Sequence, residues 1–106
     1  MTSFDKREEA FETKFAHDEE VRFRARARRD KMLGLWAAEK LGLSGANADD
    51  YATELVAAQV DAPGEDGIFL KVRKDFDTKG VAQSDHQIRR AMEDLMAVAV
   101  AQIKAE

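Results

Sequence analysis

No leucine, isoleucine or valine occurs before Val21, so whatever core this chain builds must be drawn from the residues after it. The first thirty residues instead carry sixteen charged side chains, and their main apolar content upstream of Val21 is three rings, Phe4, Phe11 and Phe15. On a helix, the i, i+7, i+11 spacing stacks these rings within about 40° of one another, a single narrow stripe. Burying so thin a stripe orders many long charged side chains at a cost of up to roughly 1.5–2 kcal/mol each. The segment is therefore marginal alone, and a groove on another protein would supply the missing apolar surface. The reading is a flexible arm over residues 1–18 followed by a compact unit over 19–106. Within the arm, Phe4, Phe11 and Phe15 would provide apolar contact. Lys6, Arg7 and Lys14, with Glu8, Glu9 and Glu12, would set orientation and register by charge complementarity. The competing expectation is that the Phe stripe folds back on the compact unit as an extra helix; its acidic turns and scant aliphatic content weigh against that.

With 106 residues and 11.9 kDa, the chain has room for one domain. Cysteine is absent, which removes disulfide scaffolds, thiolate zinc sites and cysteine nucleophiles together and suits a reducing compartment. No apolar run approaches the ~20 residues needed to span a bilayer, and the N-terminus has neither a basic stretch nor an apolar core of a signal peptide. A cytoplasmic protein without direct membrane insertion is expected. A net charge of −4 disfavours general affinity for polyanions, so no nucleic acid partner is expected either.

Only one proline, Pro63, is present, while Ala, Glu, Lys, Arg and Leu fill the intervals between glycines, which is helix composition. A long helix is predicted over 19–41, supported by the acid-before-base pairs Asp18/Arg22 and Glu20/Arg24 and stopped by Gly42. Its apolar face is Met32, Leu33, Trp36, Ala37 and Leu41, so the core is expected to begin near Met32. A second helix is predicted over 48–60 behind an Asn47 cap, with Tyr51, Leu55 and Ala58 inward. A third runs from Glu65 or Ile68 to Lys79, with Phe69, Val72 and Phe76 inward and Gly80 as its stop. The fourth is the best specified: Ser84 and Gln87 form a capping box, and Ile88, Met92, Leu95, Ala99 and Ile103 recur along one face almost to the C-terminus. Four such helices with short connections define an all-α fold, a small four-helix bundle, with Trp36 expected to meet Leu55, Phe69 and Leu95.

The basic run Arg22, Arg24, Arg26, Arg28, Arg29 and Lys31 is the most conspicuous charge feature, since clustered guanidinium groups are common phosphate contacts. On a helix it divides into two opposed stripes, Arg22, Arg26, Arg29 and Arg24, Arg28, Lys31. A solvated, salt-bridged surface is the first expectation, and a nucleotide- or nucleic-acid-binding module or an adaptor for another complex are the alternatives. Asp75, Asp77 and Gly80 imitate the start of a calcium loop, but Lys79 and His86 stand where oxygen ligands are required. His17 and His86 have no cysteines to join and lie far apart. No nucleophile elbow or phosphate loop occurs, so neither an enzyme, a metal site nor a cofactor is expected.

The segment FDKREEAFETKFAHDEEVRFRARARRDKMLGLWAAEKLGL, residues 4–43, closely resembles the ζ subunit family, the small inhibitors of the F-type ATP synthase in α-proteobacteria. The resemblance continues through VRKDFD, residues 72–77, and DHQIRRAMEDL, residues 85–95, and so covers essentially the full chain. It implies a four-helix bundle with a mobile inhibitory arm that becomes helical on entering the catalytic interface between the α and β subunits, next to the rotating γ subunit. The inhibitory segment carries over to the residues from the N-terminus to about 15–20, with the bundle limiting how far the arm threads. The implied protein is a monomer when free, and peripheral to the membrane-bound ATP synthase when engaged.

Overall fold

The computed structural model describes the backbone of residues 3–61 and 64–106 and the side chains of 18–61, 64 and 66–106. Four helices follow one another: α1 (Ser3–Lys40), α2 (Gly45–Asp61), α3 (Glu65–Lys79) and α4 (Asp85–Ala105). Each packs on its sequence neighbours and α1 also packs on α4, which closes the ring of a four-helix bundle.

The first helix starts at Ser3, well before the predicted residue 19, and stops at Lys40. Propagating an existing helix adds one hydrogen bond per residue fixed, whereas nucleating one is costly, so a helix nucleated in the bundle extends into the charged segment at little cost. The stop is local chemistry. Gly42 adopts φ 80°, its N–H donates to the Glu39 carbonyl, and the Leu43 N–H donates to the Ala38 carbonyl, a Schellman closure that leaves Leu41 and Leu43 packed on the core. The same pattern ends α3 at Gly80, where the Gly80 and Val81 amides donate to Asp77 and Phe76.

Because the first closure already reverses the chain, α2 begins at Gly45, with the Ala48 amide donating to the Ser44 carbonyl. Asn47 therefore lies inside the first turn and not at the predicted cap. α4 begins as predicted: Ser84 Oγ accepts from the Gln87 amide and Gln87 Oε1 accepts from the Ser84 amide.

The main core joins Leu33, Ala37 and Ala38 of α1, Tyr51 and Leu55 of α2, Ile68, Phe69, Val72 and Phe76 of α3, and Ile88 and Met92 of α4. Each large member is worth about 1.5–3 kcal/mol of burial. α1 and α2 approach so closely at Gly34 that a Cβ there would lie 2.6 Å from the Ala52 Cα. Trp36 differs from expectation. It is half-buried, its ring tilted at 59° over Phe76 with centroids 5.8 Å apart, and it lines a surface cleft beside Leu95. Leu33, one turn earlier, takes the fully buried position.

The core also begins earlier than Met32. Val21 and Ala25 pack against Ala99 and Ile103 in a second cluster, flanked by Met32, Met96 and Val100. Two alanines facing one another let α1 and α4 approach, so two small side chains close a contact that side-chain size alone does not advertise.

Candidate partner-binding arm

Val21 is the first buried side chain among the described residues, and Asp18, Glu19 and Glu20 just before it are exposed. Among the described side chains, those of α1 join the bundle from Val21 onward, and the helix backbone continues toward Ser3. Phe4, Lys6, Arg7, Glu8, Glu9, Phe11, Glu12, Lys14 and Phe15 all belong to this continuation by their backbone; their side chains lie outside the described residues. His17 does as well.

The root of the arm is pinned to the end of α4. Arg24 donates to Glu106 at 2.6 Å, and Arg28 donates to the second oxygen of the same carboxylate and also to Gln102 at 3.5 Å. The Arg28 hydrogen bond, followed by the charges of Arg28 and Arg24, holds the Glu106 carboxyl below the usual carboxylate range despite its partial desolvation. Arg22 pairs with Glu19 at 3.5 Å, one turn back, and not with the predicted Asp18. Arg24 likewise crosses to α4 in place of Glu20, because a carboxylate held by the neighbouring helix competes with one on the same helix.

Arg29 is the larger departure. Expected on a solvated stripe, it is 1% exposed and its Nε donates to Asp30 Oδ1 at 2.7 Å, with Asp30 equally buried. A buried pair requires that its charges stay matched, since removing one partner leaves the other uncompensated. With Arg29 interior and Arg24 and Arg28 engaged by Glu106, the basic run does not present one continuous cationic surface. Adjacent Arg and Asp in sequence are not a burial signal, so sequence reasoning had no means of finding this pair.

The remaining polar networks join helices to one another. Tyr51 donates to Asp75 at 2.8 Å, and Lys71 donates to Glu54 and Asp75, both at 3.1 Å, while lying 5.5 Å over the Tyr51 ring. Burial, then the Asp75 hydrogen bond, pushes the Tyr51 hydroxyl far above its ordinary range. For Lys71 burial is opposed and outweighed by its bonds to Glu54 and Asp75, and the net direction is upward. Arg73 holds Asp77, the Gln83 carbonyl and Asp85, tying the end of α3 to the start of α4. The carboxylates that suggested a calcium loop are thus engaged by cations and a phenol. No group of three metal-ligating side chains assembles among the described residues, and no helix there is long and apolar enough to cross a membrane.

Fold and geometry define a small all-α protein, four helices packed in a ring with a long first helix that runs from Ser3 to Lys40. The family model of the ATPase inhibitor subunit zeta matches residues 1–102, and the chain belongs to that family. Among solved structures, a protein determined in solution by NMR is 42% identical and superposes with a TM-score of 0.69, covering 80% of this chain and 96% of its own. No curated protein sequence gives a significant match.

Proposed function

We propose that this protein inhibits ATP hydrolysis by the F-type ATP synthase by inserting its N-terminal arm into the catalytic interface between the α and β subunits, beside γ, and so blocking rotation. One observation carries the reading: in a chain of an ATPase-inhibitor family, every buried described side chain lies at or after Val21, while the Phe stripe lies on the helical continuation before it. The protein performs no chemistry in this scheme. A helix wedged in an interface that must open and close in each cycle stops the motor through differential affinity for one of its states. Phe4, Phe11 and Phe15 anchor the wedge; Lys6, Arg7, Glu8, Glu9, Glu12 and Lys14 orient it. The protein acts from the cytoplasm, at the periphery of the membrane-bound enzyme, with the α, β and γ subunits as its partners.

Steady-state ATPase assays test this. Deleting the arm through Phe15 should abolish inhibition of the cognate enzyme while circular dichroism shows the bundle still folded. The triple substitution Phe4→Ala, Phe11→Ala, Phe15→Ala should weaken inhibition strongly, as loss of central aromatic anchors commonly costs more than about 2 kcal/mol. Full inhibition by the armless protein refutes the assignment.

A further inference from the structure

Two of the large apolar side chains left most exposed on the described residues lie toward one end of the bundle. Phe23 is 76% exposed and Val60 80%. α1 and α2 are joined by a tight reversal and run antiparallel, with Gly34 facing Ala52. At equal helical rise, the end of α2 at Asp61 then lies level with about residue 25 of α1. Phe23 therefore stands just past the end of α2, and Val60 sits on that helix's last turn. A phenylalanine costs solubility when left in water, and nothing in the bundle covers this one.

Charge around the ring is equally lopsided. Arg24 and Arg28 are engaged by Glu106, Arg22 by Glu19, and Arg29 is interior with Asp30. Arg26, one turn from Phe23 and exposed, makes no ion pair among the described residues. An exposed aromatic beside an available guanidinium combines two side chains that dominate binding energy at protein interfaces.

We infer that Phe23 and Arg26 form a second docking point, at the root of the arm, for an apolar pocket with an adjacent carboxylate on the protein surface that grips the arm. The inference rests on the arm reading above. It places the contact on described, folded residues downstream of the Phe stripe and about 100° around the helix from Phe4, so the partner must wrap α1 and not merely line one face. Binding at the root then fixes the rotation of the bundle about the arm axis, which the narrow stripe alone leaves loosely defined.

The test compares full-length variants in ATPase inhibition and thermal melting. Phe23→Ala should weaken inhibition by at least tenfold with an unchanged melting temperature, and Arg26→Glu should do the same by reversing the charge at the carboxylate. Unchanged inhibition by both variants overturns the inference, as does a lowered melting temperature for Phe23→Ala, which would mean the ring serves the bundle. The Phe4, Phe11, Phe15 triple variant, assayed in parallel, separates the two readings. If it loses inhibition while Phe23→Ala keeps it, the arm reading stands and the root contact fails; if it keeps inhibition while Phe23→Ala loses it, the Phe stripe is not the wedge, and the arm reading fails together with a root contact defined as second to it.

Discussion

α4 and the arm-ward part of α1 are both charged helices, yet different forces hold them. α4 opens with a reciprocal capping box and buries Ile88, Met92, Ala99 and Ile103 along one face. The arm-ward part of α1 buries nothing between Asp18 and Glu20, then only Val21 and Ala25 before Arg29. α4 is a helix because its face is paid in burial; this part of α1 is a helix because a helix formed further down continues through it. The comparison teaches that one helix changes character along its length: from Val21 to Lys40 it contributes buried side chains to the bundle, while the described side chains before Val21 contribute none. Substitutions in the two parts should therefore move different observables.

The largest effect should come from Asp30→Ala. It takes a buried carboxylate away from the interior Arg29 guanidinium, and breaking such a pair costs about 3–5 kcal/mol. Chemical denaturation should show the loss in the folding midpoint. A wild-type midpoint would mean that the lower part of α1 is as dispensable to the bundle as the arm, and the division would break.

Gly34→Ala comes next. The new methyl would meet Ala52 backbone at 2.6 Å, and overpacking of this kind costs about 1–3 kcal/mol as α1 and α2 are pushed apart. Because Gly34 is remote from the arm, the folded fraction of the variant should inhibit with the affinity of the parent. A matched titration of folded protein against the ATPase would sharpen the division by showing stability and inhibition moving independently.

The smallest effect belongs to the boundary itself. Glu106 has its carboxyl held below the ordinary range by Arg28 and Arg24, so its contribution is present above the usual glutamate pKa of about 4.3 and is lost as pH falls through the lowered folded value. Exposure keeps the gain small. The difference in melting temperature between Glu106→Gln and the parent should be measurable at pH 7 in low salt and fade as the pH falls through the lowered folded value. A difference that persists in acid would assign the contribution to packing and not to the ion pairs.

Much of this architecture was legible residue by residue. Ser84 with Gln87 and the Ile88, Met92, Ala99, Ile103 spacing announce α4, and Gly42 and Gly80 mark the ends of α1 and α3, because caps and period are local and written in a few neighbouring positions. Where the prediction missed, the deciding partner was distant in sequence. Asn47 looked like a cap, but the reversal anchored by Leu43 had already started α2 at Gly45. Trp36 looked central by size, whereas the ring geometry gave Leu33 the interior and left Trp36 at the edge of Phe76. For the candidate site, the Phe stripe was visible as spacing; Phe23 was visible as a residue but not as an exposed one, since its exposure depends on where α2 ends.

The amino-acid sequence by itself determined an all-helical chain, the order and approximate limits of its helices, and the poverty of aliphatic side chains before Val21. These follow from backbone propensity, capping and composition, which act over a turn or two. Tertiary structure alone decided that Val21 and Ala25 meet Ala99 and Ile103, that Arg29 and Asp30 go inside, and that Glu106 claims Arg24 and Arg28. The physical reason is that burial and ion pairing are properties of neighbours in space, and in a bundle the neighbours of α1 lie up to the full length of the chain away.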